Sequence, residues 1–350
     1  ENTLIGGLAG DALTTGTDNV ALGSSALSGD TAGTDSVAIG RRALRVQNFS
    51  TATSSKNTAV GASAGQSVTT GVNNTFIGAL AGDALTDADH NIAIGFNALT
   101  SDTLGSRTVA IGQGALENQN FTTATNTFNV AIGFHAGTSV TTGLQNVAVG
   151  GDALDALTVG SSNTAVGYQA LTADTQGQNN VAIGHNALAT QNFTTATNSY
   201  NVAVGSQAGL VISTGIENTI VGALAGDAMT TGSSNTFIGS TAAGTGVVTG
   251  DSNTAVGKSA GLNLREGDNN TLLGHDAGIT GSPGGNINSE SNHFCLGDEN
   301  IIELHCQVAL TVASDERDKT DFSDLDLGLD FVKALEPVTY YWDKRSKYGD

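Results

Sequence analysis

Proline occurs only twice in the 350 residues, methionine and tryptophan once each, and aromatic residues make up 5%. So few bulky side chains exclude a large aromatic core. Cysteine is equally sparse: Cys295 and Cys306 cannot build a disulfide scaffold and read as two small, buried, reduced side chains. Basic residues number 13 against 33 acidic ones, a formal charge of -20. That deficit argues against nucleic acid, because phosphate binding draws on clustered Lys and Arg, and it disfavours direct docking on an anionic membrane. No hydrophobic run is long enough to span a bilayer, and no secretory signal opens the chain. The sequence starts at Glu1, inside a repeat and without Met, so it is expected to be part of something longer. Glycine is plentiful, at 47 residues, which suits tight turns between short strands better than helices.

The glycines are ordered. A pentapeptide of the form N-[VT]-A-[IV]-G closes at positions 6, 23, 40, 61, 78, 95, 112, 133, 150, 167, 184, 205, 222, 239, 257, 274 and, more weakly, 297. Most of these glycines lie 17 residues apart, with one spacing of 18, three of 21 and a last one of 23. A period so short and regular specifies a solenoid, in which each unit stacks on the previous one and none buries its apolar face alone.

Counted from its glycine, each unit has fixed columns. The residue before the glycine is aliphatic throughout, as at Ile39, Ile132 and Val204, and two places earlier stands Thr, Val, Leu, Ile or Phe. These two columns share one face of a short strand, a face not expected to be free for solvent. The intervening column is mostly Ala, as at Ala59, Ala131 and Ala203, which leaves room for another backbone or sheet close by. Four places before the glycine, Asn fills fourteen of seventeen units, Ser36, Thr108 and His293 being the exceptions. Stacked at a strand spacing of about 4.8 Å, those amides can hydrogen-bond along the column. Three places after the glycine Ala recurs in sixteen of seventeen units, marking a tight corner.

A longer order overlies the short one. The 21-residue spacings end at Gly61, Gly133 and Gly205, each 72 residues from the next, and contain QNFSTATSSKN, QNFTTATNTFN and QNFTTATNSYN. Each adds a four-residue protrusion carrying Phe49, Phe121 or Phe193. Two readings are open: the phenylalanine tucks over the solenoid edge, or the loop contacts a ligand or another chain.

A 17-residue coil encloses only a thin strip of core, so one apolar face stays uncovered unless a partner meets it. The segments DSVAIG at 35–40 and NVAIG at 180–184 resemble the parallel β-roll of trimeric autotransporter adhesin heads. The resemblance covers about residues 1–280 and implies a homotrimer with the small-residue columns near the axis.

The style changes after Gly278. The segment GSPGG at 281–285 reads as a linker, and IIELHCQVALTV at 301–312 alternates like a strand or stem. Leu327, Phe331, Val332 and Leu335 sit at helical spacing, Pro337 ends that helix, and VTYYW at 338–342 reads as a strand. Ser314, Asp315, Arg317 and Lys319, then Leu335, Pro337 and Val338, resemble the start of the intramolecular chaperone domain at the C-terminus of phage tail fibres, tail spikes and endosialidases. Asp318 stands where that family has leucine. The resemblance implies self-cleavage between Ala313 and Ser314 after trimer formation, with Ser314 as nucleophile and Lys319 as its base. A lysine serves so only when burial lowers its pKa.

The expected fold is therefore all-β: a homotrimeric parallel β-solenoid over 1–280, a linker and β stem over 281–313, and the beginning of a small α+β chaperone domain over 314–350. The expected function is that of a phage tail fibre, assembled in the host cytoplasm and carried on the virion tail. Its partners would be other tail proteins and a host surface glycan or outer-membrane receptor, with no membrane insertion. A bacterial adhesin head and a polysaccharide-degrading tail spike are the alternatives. No cofactor or metal is expected, because the six histidines occupy different columns, and only His293 or His305 on a threefold axis could meet their own copies.

Overall fold

In the computed structural model, which describes residues 1–305 and 307, every pentapeptide forms a three-residue strand, from Thr3–Ile5 to Phe294–Leu296. Seventeen such strands make one sheet. Each pairs in parallel with the strand of the next coil and in strict register, so Val130, Ala131 and Ile132 lie beside Val147, Ala148 and Val149. Parallel strands need a crossover connection, and here the rest of the coil supplies it in a dozen or so residues of turns. Three two-stranded sheets flank the main one, pairing Gly33–Thr34 with Thr53–Ser54, Gly105–Ser106 with Thr125–Asn126, and Gly177–Gln178 with Thr197–Asn198. No helix is present among the described residues.

Which face of the strand turns inward corrects the sequence expectation. The alanine column is the core: Ala21, Ala59, Ala131 and Ala203 are fully buried inside the coil. The aliphatic columns on either side point outward and stay part-exposed, with Ile77 at 40% and Ile132 at 39%. The small residues thus line each coil's own interior, where the adhesin resemblance had placed them near a shared axis. Strand alternation sends only the middle residue into the coil, and that position is Ala at most rungs, with Phe76, Ile220, Phe237 and Leu272 filling it at others.

Within that interior, volume is traded between columns. Where the residue four places after the glycine is Leu, as at Leu27, Leu44 and Leu99, the strand contributes only Ala21, Ala38 or Ala93. Where the strand contributes Phe76, Gly82 of the same coil and Gly65 of the preceding one leave room; a Cβ on Gly65 would lie 2.6 Å from Phe76 Cδ2. The core therefore holds a near-constant volume per rung, as close packing requires.

The closing glycine is fixed for two reasons. Its φ is strongly positive, +141° at Gly205, and a Cβ there would sit 2.5 Å from the carbonyl oxygen of Gly222 on the next rung. Only a residue without a side chain meets both conditions.

The asparagine column forms a ladder of a specific kind. The main-chain N–H of most residues in the column donates to the side-chain oxygen one rung before: Asn146 to Asn129, Asn163 to Asn146 and Asn180 to Asn163, at 2.9–3.0 Å. Most Nδ2 groups reach a carbonyl further along their own coil, as from Asn146 to Gly160 at 2.9 Å. The expected amide-to-amide contact is added at some rungs, such as Asn218 Nδ2 to Asn201 Oδ1 at 3.1 Å. At Ser36 and Thr108 a hydroxyl pair takes over, with Ser55 at 2.6 Å and Thr127 at 2.7 Å, while His293 N still donates to Asn270 Oδ1 at 2.9 Å. These buried amides thus supply hydrogen bonds to main-chain groups at the strand ends, as buried backbone requires.

Contacts divide the chain into two units, Glu1–Ile301 and Ile302–Asp350. In the first, the strand Phe294–Leu296 pairs with Thr271–Leu273 across the 281–285 segment, so the glycine-rich stretch read as a linker lies inside the last coil. Cys295 sits in the core column there as a free, buried thiol. In the second unit, 302–305 carry no strand and are exposed, with His305 Nε2 3.0 Å from Glu303 Oε2. Cys306 and 308–350, including the expected helix and VTYYW strand, lie outside the described residues.

Two substitutions test the stacking. Gly205→Ala should destabilise the solenoid by about 3 kcal/mol or more, from positive-φ strain plus the collision with Gly222. Asn218→Ala removes an acceptor for Asn235 N and a donor to Gly232 O and should cost about 1–3 kcal/mol. Both are read from urea denaturation followed by circular dichroism.

Candidate functional site

The three long coils share an internal device. In most rungs the position seven places after the glycine is apolar, as at Val68, Leu85 and Leu157. Next to each protrusion it is instead a buried carboxylate, Asp30, Asp102 or Asp174, and one rung later a buried Gln47, Gln119 or Gln191. Asp102 accepts from Gln119 Nε2 at 2.6 Å, Phe121 N at 3.0 Å and Gly105 N at 3.1 Å. Gln119 Oε1 in turn accepts from Asn129 Nδ2 at 2.8 Å, which ties the carboxylate to the asparagine ladder. The same bonds recur from Gln47 and Phe49 to Asp30 and from Gln191 and Phe193 to Asp174. Gly105 is obligatory because Asp102 Oδ2 occupies the place of its Cβ.

Each carboxylate thereby clamps the chain at the phenylalanine. Phe49, Phe121 and Phe193 are only 6–7% exposed, so the first of the two sequence readings holds and the ring tucks over the solenoid edge. The tips at 50–52, 122–124 and 194–196 remain exposed. Burial pushes the Asp102 carboxyl above its usual range, opposed by the N–H of Phe121 and the amide of Gln119. Sequence reasoning missed these carboxylates, although Asp followed by glycine three places later, at 72-residue intervals and in an otherwise apolar column, was a visible signal.

The second feature is the outward face of the long sheet. Val or Thr, replaced by Ile92 and Phe294 at two rungs, and Ile, Val or Leu project from the strands, and they are joined at neighbouring positions by exposed Phe96, Phe128, Phe134, Tyr168 and Tyr200, each 50–52% accessible. A row of this kind running the length of a solenoid, roughly 80 Å at 4.8 Å per rung, exceeds what a soluble monomer ordinarily exposes. Two of these rings are stacked on histidines, Phe134 on His135 at 3.8 Å and Tyr168 on His185 at 5.8 Å between centroids.

Of the residues expected to carry chemistry, Ala313, Ser314 and Lys319 lie outside the described residues. Among the described histidines the structure brings no two together as ligands, but it does place His275 against Asp276 and Asp298. The Asp298 carboxyl is held below its usual range by the side chain and N–H of Asn300, with His275 adding to the effect. No helix among the described residues is long and apolar enough to cross a membrane.

Asp102→Asn places an NH2 group against donors it cannot accept from and should cost about 1–3 kcal/mol, with the 122–124 loop becoming protease-sensitive. Because the folded pKa of Asp102 is raised, its contribution is fullest below the unfolded carboxylate pKa and is lost as pH rises through the folded value. Parent stability relative to Asp102→Asn should therefore increase from neutral pH to about pH 4 in paired thermal melts.

No curated protein matches the chain. Residues 314–350 match the family model described as the chaperone of endosialidase, and a β-solenoid followed by this segment fits a tail fibre with an endosialidase-type chaperone domain.

Proposed function

We propose that the chain is the shaft of a homotrimeric phage tail fibre that reaches and adheres to the host surface, with a C-terminal chaperone that directs trimer assembly and then cleaves itself off. The carrying observation is the succession of a stiff parallel solenoid and the segment matching the chaperone of endosialidase. The uncovered aliphatic and aromatic face supports the trimer, since three copies meeting along it would remove that surface from water at about 25 cal/mol per Å². Extensive acidity suits a projecting surface that stays soluble. The exposed loop tips at 72-residue intervals offer regularly spaced contacts to a host glycan or outer-membrane receptor.

Self-cleavage would use Ser314 Oγ as nucleophile on the Ala313 carbonyl, with Lys319 accepting its proton and returning it to the Ser314 nitrogen as the Ala313–Ser314 C–N bond breaks; water then hydrolyses the resulting ester, freeing Ala313 as a carboxylate and restoring the Ser314 hydroxyl. The two lie five residues apart in sequence, and a single-turnover reaction needs only that pair held together once the trimer forms.

Light scattering on the purified protein should give three times the 35.1 kDa chain mass; a well-folded, soluble single chain would remove the basis of the proposal. In the chain carrying its complete chaperone domain, Ser314→Ala should leave one uncut band on a denaturing gel where the parent gives a shaft fragment ending at Ala313. Identical banding in parent and variant would discard Ser314 as nucleophile while leaving the trimer untouched.

A further inference from the structure

The last two rungs of the solenoid differ from the others in their connection. Elsewhere adjacent closing glycines are 17 to 21 residues apart, but Gly274 and Gly297 are separated by 23, and the extra length includes Pro283, Gly284 and Gly285. A longer, glycine-rich connection constrains the end of a stack less than a tight one. It is at this junction that three metal-binding side chains converge.

His275 and Asp276 follow the rung Thr271–Leu273, and Asp298 follows the rung Phe294–Leu296. His275 Nδ1 lies 3.3 Å from Asp276 Oδ2 and 3.3 Å from Asp298 Oδ2. One ring nitrogen carries at most one proton, which the two carboxylates would have to share. A cation resolves this, because ligand atoms about 2.1 Å from a divalent transition metal are themselves about 3.0 Å apart in octahedral and about 3.4 Å apart in tetrahedral geometry. The two separations from His275 fall within that interval, and all three ligand atoms lie within 4.8 Å of one another.

The surroundings are those of a metal site. Asn300 donates its N–H to Asp298 Oδ1 at 2.9 Å and its amide to Oδ2 at 3.1 Å, fixing the carboxylate as outer partners of a ligand do. The three side chains open onto a cavity of about 190 Å³, also lined by Glu299 and Thr280, large enough for the waters that complete a coordination shell at about 30 Å³ each. His275 remains 55% exposed on its side chain, which leaves a path for entry.

We propose that His275, Asp276 and Asp298 bind a divalent transition-metal ion of the zinc class, which clips the final rung to the one before it. The imidazole excludes calcium and magnesium as the preferred ions, since those take oxygen donors. Because the ligands come from two rungs, binding stabilises the closed end of the stack and leaves the rest of the solenoid unchanged.

Zinc chloride titrated into the 350-residue protein should bind at one ion per chain by calorimetry, and the thermal midpoint should rise with zinc concentration. Calcium chloride at equal concentration should give no comparable rise. His275→Ala and Asp298→Asn should each weaken zinc binding by about tenfold or more with unchanged far-ultraviolet circular dichroism; the asparagine variant keeps the shape of the site should the alanine variant misfold. Absence of saturable zinc binding, an equal response to calcium, or binding that survives both substitutions overturns the proposal.

Discussion

In-register stacking of one rung on the next governs the whole solenoid. Every strand donates and accepts along the stack, so a residue type that suits one rung must suit its neighbours at about 4.8 Å above and below. That condition explains why columns, and not individual residues, are the units of this sequence. The closing glycine is the sharpest case, since at Gly205 both its backbone angle and the carbonyl of Gly222 forbid a side chain. The asparagine ladder is the complementary case, in which a buried amide supplies the hydrogen bonds that a bare turn would lack.

Stacking also sets what the interior can contain. The coil is narrow, so Phe76 is accommodated only because Gly65 and Gly82 give way, while Leu44 faces Ala38. In the long coils, polar groups enter this interior as connected networks. Asp102, Gln119, Thr108 and Asn129 satisfy one another, and they appear where the chain departs from 17 residues to make a protrusion. A buried carboxylate without a cation is costly unless several donors converge on it, and here they hold the loop that the carboxylate anchors.

The outward face displays what strand alternation turns away from the core. Its Val, Ile and aromatic residues stay part-exposed and leave that face of the single chain uncovered. The tail-fibre reading joins this incompleteness to the chaperone-like segment that follows, because an assembly of three slender rods must be aligned before any of them is covered. On that reading, stiffness and self-association share one origin in the width of the coil.

The period, the strand positions, the asparagine and glycine columns and the three protrusions were legible in the sequence, because a solenoid repeats short-range contacts and each repeat reports the same geometry. The chaperone motif was legible too, as spaced residues from Ser314 to Val338. Tertiary structure alone decided which strand face turned inward. Both faces read as apolar, and which of them lies inside depends on the direction in which the coil closes, which no local pattern encodes. It also decided that Asp30, Asp102 and Asp174 are buried anchors and that His275 meets Asp298 across a 23-residue spacing. Such contacts are made between rungs, so they exist only once the stack has formed.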